Sequence, residues 1–307
     1  MNFGNVILSL FGGLAGLLVF LTPVLALAYF ISNHTNGSLV SGGEKRKYLL
    51  HVPKKYDPSK PAPLVVVIHG FAQWPANQAQ VSQWNPLANE KGFIVVYPSG
   101  TGMPKRWRGT GFGTPVKDPL IDVSFISSLI DKLEGQYNID PSRIYVTGLS
   151  NGGGMSLRLS CALSDRIAAI GGVAGAYLYP VEKCERTRSV PMMVVHGDAD
   201  KVVPYHGGPS HSFEVPFPSI PGWVKDYASF NNCQGDPQTI PDLPEDVSGL
   251  RYTGSSRESE VVFYTVYGGG HSWPGGKPLP KWIVGKTSRT FDTTRVMWDF
   301  FVAHPLK

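Results

Sequence analysis

Apolar residues recur along the chain with two periods, and the alternation between them predicts the architecture. Leu64-Val65-Val66-Val67-Ile68 and Phe93-Ile94-Val95-Val96-Tyr97 are unbroken apolar runs, as expected of strands buried on both faces of a parallel sheet. Ile144–Thr147, Ile167–Val173, Pro191–Val195 and Glu260–Tyr267 repeat the pattern further along. Between these runs the spacing turns helical: over Asn85–Glu90, over Asp122–Leu133 with apolar residues at 123, 125, 126, 129, 130 and 133, after Thr147 with Met155, Leu157 and Leu159, and over Thr290–Phe301 with Val296, Met297, Phe300 and Phe301. Strands alternating with helices through short links predict right-handed crossovers and a mostly parallel, doubly wound α/β sheet flanked by helices. A first strand is expected over Lys47–Val52, a Pro-rich surface loop over 53–63, and a polar excursion over 206–260 with one helix at Pro221–Asn231 and no chemistry beyond packing.

The N-terminus departs from this alternation. Residues 1–31 carry no charged side chain and run apolar from Val6 to Phe30, which reads as a signal peptide or a membrane anchor. Ala26-Leu27-Ala28 resembles a cleavage site, while the length suffices to cross a bilayer. Either reading puts the folded part outside the cytoplasm, although Lys45-Arg46-Lys47 runs against the positive-inside rule. Residues 32–43 are small and polar, a flexible linker before a single catalytic domain over 44–307.

Composition narrows the class. A hydrophobic content of 42% with 17% charged residues supports a large core, and 35 glycines with 26 prolines imply long loops and many turns. The net charge of +5 is scattered, which argues against a nucleic-acid partner. Cys161, Cys184 and Cys233 lack the spacing of a zinc site and leave room for one disulfide, with Cys161–Cys184 the favoured pair.

The chemistry gathers where strands end. Gly148-Leu149-Ser150-Asn151-Gly152 follows the Ile144 strand and precedes a helix, so G-x-S-x-G stands in the strand-turn-helix context of a nucleophile elbow. His69-Gly70-Phe71 follows the Leu64 strand, and this loop supplies one oxyanion donor in α/β-hydrolases; Phe71 and Asn151 are the expected backbone donors, and His69 a structural brace. Asp198 and Asp200 both follow the Pro191 strand as candidate acids. His271 opens the glycine-rich loop after the last strand, so serine, acid and histidine occur in α/β-hydrolase order. Loops after parallel strands line the substrate crevice. Trp107 and Phe112 lie on one such loop, Tyr205 and Trp273 on others, and Trp107, Tyr205 and Trp273 are candidate substrate contacts.

Ile68-His69-Gly70, Asp122-Val123, the elbow, His196-Gly197-Asp198-Ala199-Asp200 through Val203-Pro204-Tyr205, and Gly269-Gly270-His271-Ser272-Trp273-Pro274-Gly275-Gly276 together resemble the polyhydroxybutyrate depolymerase and feruloyl or acetylxylan esterase family of secreted α/β-hydrolases. The likeness runs over about residues 44 to 304. It implies Ser150 as nucleophile, His271 as general acid and base, Asp200 rather than Asp198 as the acid, no metal or other cofactor, and a carboxylic ester as substrate, carried on a plant polysaccharide or a polyhydroxyalkanoate. A serine peptidase on the same three residues and a catalytically silent polymer-binding envelope protein are the alternatives. The chain departs from many relatives in having no paired cysteines after Trp107 and in Ile121 before Asp122, which bears on loop shape and acyl specificity.

Overall fold

Six parallel strands form the centre of a ten-stranded sheet in the computed structural model, which describes residues 33–111, 117–214 and 216–307. The strands are β1 (Gly37–Ser41), β2 (Glu44–His51), β3 (Ala62–Ile68), β4 (Ile94–Pro98), β5 (Ile139–Leu149), β6 (Ala169–Val173), β7 (Met192–Gly197), a separate two-residue ribbon β8 (Gly208–Pro209) with β9 (Pro216–Phe217), then β10 (Gln238–Thr239), β11 (Val247–Tyr252) and β12 (Val261–Val266). Their order is β1-β2-β4-β3-β5-β6-β7-β12-β11-β10. Every pair from β4 to β12 along this row is parallel, and the outer pairs at both edges are antiparallel.

The helices are α1 (Pro75–Ser82), α2 (Trp84–Lys91), α3 (Ile121–Glu134), α4 (Asn151–Ala162), α5 (Ile220–Phe230), α6 (Lys281–Val284) and α7 (Thr293–Val302). Because successive strand residues point to opposite faces, β3 feeds two cores. Leu64, Val66 and Ile68 pack with Phe125 and Leu129 of α3, Leu157 of α4 and Val224 of α5. Val65 and Val67 pack with Trp84 of α2 and Met297, Trp298 and Phe301 of α7. Neither face of the central strands meets water, which is why their sequences are continuously apolar rather than alternating.

From β3 the chain steps outward to β4 and then returns across β3 to β5. The connections therefore diverge at the carboxyl ends of β3 and β5, the switch point where doubly wound sheets open a crevice. His69 and Ser150 are the residues that follow those two ends.

Two expectations are revised. Gly37–Ser41, expected in a flexible linker, is strand β1, paired with β2 through a turn in which Gly42 and Gly43 have φ of 57° and 74°. Backbone pairing makes this hairpin, with Val40 of β1 left 73% exposed, so the apolar pattern carried little warning of it. The excursion over 206–260 contributes α5 as expected, and also β11 and the edge strand β10, whose half-exposed faces lack an apolar run. Thr35–Lys307 is one compact unit. Residues 1–31, assigned as signal peptide or anchor, and Phe112 lie outside the described residues. Among the described residues no helix is long and apolar enough to cross a membrane.

Candidate active site

Ser150 occupies the single residue between β5 and α4, with φ 57° and ψ −119°. Such a conformation costs a non-glycine residue on the order of 1–3 kcal/mol and persists only where the surroundings enforce it. Here they do. The Ser150 N–H donates to Val173 O at 2.9 Å, and the Ser150 carbonyl accepts from Gly154 N–H at 3.1 Å and Ala176 N–H at 3.0 Å. The flanking glycines are a steric requirement: a Cβ on Gly148 would lie 2.4 Å from the Gly152 backbone, and one on Gly152 would lie 2.3 Å from Ile68 O.

The acid follows β7. Asp200 is 4% exposed, and its Oδ1 accepts N–H bonds from Val202 at 2.8 Å and Val203 at 2.9 Å. Its Oδ2 accepts from His271 Nδ1 at 2.7 Å, with His196 Nε2 at 3.3 Å. Burial works against ionising this carboxyl, but the imidazole charge of His271 and hydrogen bonds from His196 and His271 outweigh it and hold Asp200 well below the usual carboxylate range. Asp198 is employed differently: its Oδ1 accepts Gly268 N–H at 2.6 Å, stapling the turn after β7 to the turn after β12. The geometry thus separates the two aspartates, and Asp200 is the one against the histidine.

His271 is held from behind. Its N–H donates to Val284 O at 2.6 Å, and Gly270 N–H donates to Lys286 O at 2.8 Å, tying the loop to the segment around α6. With Nδ1–H given to Asp200, Nε2 is left as the ring's basic nitrogen. Ser150 and His271 line the same cavity of about 370 Å³, walled by Phe71, Trp74, Phe213, Val202 and Ile283. The serine and imidazole are not hydrogen-bonded to each other among the described contacts; such bonds commonly tighten only when substrate is bound. A larger cavity of about 510 Å³ lies by Met193 and Val262, at the amino ends of β7 and β12, and so at the opposite edge of the sheet from these residues.

The loop after β3, which carries Phe71, one of the two expected oxyanion donors, runs beside the serine. A Cβ on Gly70 would lie 3.4 Å from Ser150 Cβ. Gly70 N–H is committed to Gln73 Oε1 at 2.9 Å and Ala72 N–H to Lys105 O at 2.8 Å, bracketing Phe71, whose ring meets Phe213 edge-on at 5.5 Å. Asn151 is the first residue of α4, where N–H groups have no intrahelical acceptor and the helix dipole favours negative charge. Its side chain is spent elsewhere, accepting from Trp107 N–H at 2.8 Å and donating to Thr110 Oγ1 at 3.1 Å.

His69 braces this loop, as expected. Its Nδ1–H donates to Gly70 O at 2.7 Å and its Nε2 accepts Gly100 N–H at 2.9 Å, a pattern only the neutral ring can make. Burial pushes its pKa down to about 4.

The three aromatic substrate candidates are corrected. Trp107 is fully buried, with Nε1–H donating to His69 O at 2.9 Å. Trp273 is 1% exposed and donates to Thr294 Oγ1 at 2.9 Å. Tyr205 bonds Thr265 Oγ1 at 2.8 Å and stacks on Phe263, away from the cavity. Each follows a strand end, but an indole or phenol that can reach an internal polar partner gains more by burial than by facing water. The cavity walls are instead Trp74, Phe213, Leu279, Pro280, Ile283 and Val284, of which Phe213 belongs to the excursion read as mere packing. An aromatic side chain in an otherwise polar loop was the available signal.

Asp122 has a supporting role that spacing did not reveal. It is fully buried and pairs with Arg46 at 2.7 Å and Arg108 at 3.2 Å, while accepting Arg108 N–H at 2.7 Å. Arg46, from the basic cluster at the start of β2, therefore points inward, its guanidinium 4.0 Å over the Phe125 ring. Among the described residues, no group of three or more His, Cys, Asp or Glu is placed to hold a metal ion.

A strained serine between strand and helix, at the switch point of a mostly parallel sheet and sharing a cavity with an Asp-bound histidine, defines an α/β-hydrolase. The solved acetyl xylan esterase from Aspergillus awamori has the same fold, with a TM-score of 0.57 and 17% identity over 78% of this chain and 91% of that one. Residues 47–182 match the Esterase PHB depolymerase family. NocK of Nocardia uniformis subsp. tsuyamanensis, named as an esterase, is 30% identical over 92% of this chain and 86% of its own length. The bifunctional acetylxylan esterase/xylanase XynS20E of Neocallimastix patriciarum is 29% identical over 75% of this chain, which spans 31% of that longer protein. The chain belongs to the PHB depolymerase esterase family and is a carboxylic ester hydrolase.

Proposed function

We propose that the protein cleaves polymer-linked carboxylic esters through a covalent acyl-enzyme, with Ser150 as nucleophile, His271 as general base and then general acid, and Asp200 holding the imidazole. In the first half-reaction Ser150 Oγ attacks the ester carbonyl while its proton passes to His271 Nε2. The tetrahedral oxyanion is received by the N–H groups of Phe71 and Asn151, and collapse expels the alcohol, which takes the proton from Nε2. In the second half, water gives a proton to Nε2 as it attacks the acyl carbon, and the acid leaves with Ser150 restored. Asp200 stays ionised throughout and stabilises the imidazolium each time it forms.

The observation that carries this reading is the strained Ser150 backbone, an otherwise unfavourable conformation that exposes the hydroxyl to the cavity reached by the Asp200-bound His271. The aromatic and aliphatic walls suit the acyl portion of an ester. The Cys161–Cys184 disulfide supports the exported location inferred from residues 1–31, since such bonds persist in oxidising compartments. Ser150→Ala is expected to abolish hydrolysis of p-nitrophenyl acetate and butyrate and labelling by a fluorophosphonate. Retained turnover would refute the assignment, and faster cleavage of peptides than of esters would favour a peptidase.

A further inference from the structure

Trp282 takes no part in this scheme, yet it is 87% exposed. The other six tryptophans of the chain are buried or half-buried. It stands on α6 at the rim of the catalytic cavity, where Leu279, Pro280, Ile283 and Val284 from the same stretch form the wall. Because Val284 O accepts the His271 N–H, this rim is anchored to the loop that carries the imidazole. A flat indole held in water at the mouth of a site is a platform for whatever part of the substrate remains outside.

Charge indicates what that part is. From Val261 to Phe291 the sequence contains Lys277, Lys281, Lys286 and Arg289 and no Asp or Glu. Lys286 makes no salt bridge among the described residues, though after hydrogen bonds from Thr290 and Ser288 its charge is a further influence holding the Asp246 carboxyl below the usual range. Lys277 and Lys281 make no salt bridge among the described residues, and Lys277 Nζ contacts only the neutral Gln80 Oε1, at 3.0 Å. An indole face accepts the C–H face of a sugar ring, while neighbouring ammonium groups attract carboxylates. An uncharged polyester laid over the same rim would desolvate those ammonium groups without compensation.

Building on the ester hydrolase reading, we propose that Trp282, Lys281 and Lys277 form a docking rim for an acidic polysaccharide, one carrying uronic-acid carboxylates, whose ester group enters the cavity. The rim holds the polymer outside while Ser150 acts on the acyl group inside.

Affinity electrophoresis of the full chain tests this without relying on turnover. Gels contain glucuronoxylan or the same polymer after reduction of its carboxyl groups, and p-nitrophenyl butyrate hydrolysis is measured in parallel. Glucuronoxylan is expected to bind at least about fivefold tighter than its reduced form, with the preference fading towards about 0.5 M NaCl as screening shortens the range of the lysine charges. Trp282→Ala, and separately Lys277→Glu with Lys281→Glu, should each weaken binding by about fivefold or more and leave p-nitrophenyl butyrate turnover within about twofold. Equal binding of both polymers, or undiminished binding by Trp282→Ala, would overturn the proposal, the latter assigning retention to net charge. Adsorption to a polyester film that depends on Trp282, without polysaccharide binding, would overturn it in favour of a polyester. Loss of the ester hydrolase reading has a different appearance: no butyrate turnover, with polysaccharide binding intact.

Discussion

At the scale of single residues, the two aspartates after β7 differ by what their oxygens meet. Asp200 Oδ2 lies 2.7 Å from His271 Nδ1, whereas Asp198 Oδ1 meets a backbone N–H. Asp200→Asn should lower kcat/KM for p-nitrophenyl butyrate by roughly three to four orders of magnitude, because the amide favours the wrong imidazole tautomer. Asp198→Asn should stay within about threefold, since the amide oxygen can still accept the Gly268 N–H and only the charge is lost. Equal losses in both would show that turn geometry, not imidazole orientation, is at stake. His69 makes a second residue-scale prediction. Its folded pKa is pushed down to about 4 by burial, while an unfolded histidine titrates near 6.5. Between those values the unfolded chain binds the extra proton, so stability is full above about pH 6.5, falls as pH drops towards about 4, and loses on the order of 3 kcal/mol across that window. His69→Gln should flatten this part of the dependence, read as the urea midpoint of wild type minus variant against pH.

At the scale of elements, the elbow works because β5 and α4 are locked at both ends. Glycines admit the close approach at the amino end of α4. At the carboxyl end Cys161 is joined to Cys184, just beyond the short turn Val181–Lys183, with Cα atoms 5.0 Å apart. Closing a segment with a sequence separation of 23 removes chain entropy equivalent to about 3 kcal/mol. Replacing both cysteines by serine should cost about 2–4 kcal/mol in chemical unfolding. Since Ser150 and its hydrogen bonds lie at the opposite end of the helix, kcat for small esters should change little at temperatures well below unfolding.

At the scale of the molecule, a buried charge cluster ties together parts of the chain that the sheet alone does not join. Asp122 at the start of α3 holds Arg46 of β2 and Arg108 of the loop that carries Trp107, and Trp107 in turn bonds both His69 and Asn151. Asp122→Ala would leave the buried Arg46 guanidinium without its carboxylate partner, while Arg108 keeps Glu44 at 3.1 Å. A loss of about 3–5 kcal/mol is expected, with a lower thermal midpoint. A change under about 1 kcal/mol would mean that the arginines find water or other partners.

The central strands, the flanking helices and the chain order of Ser150, Asp200 and His271 were legible because burial on two faces writes continuous apolar runs, and a strained turn demands glycine at fixed offsets. Those constraints act on each segment locally, so one segment displays them. The β1 hairpin, the strand β11 and its edge partner β10, the inward turn of Arg46 and the burial of Trp107 and Trp273 were not legible, because pairing partners and hydrogen-bond acceptors come from distant segments. Sequence alone thus determined which residues could do the chemistry and the order in which the sheet presents them. The resemblance already pointed to Asp200 rather than Asp198; only the tertiary structure decided that Asp198 is spent on the Gly268 N–H, and that Phe213 and Trp74 rather than Trp107 wall the cavity, because those outcomes depend on which side chains meet across gaps of a few ångströms between segments far apart in the chain.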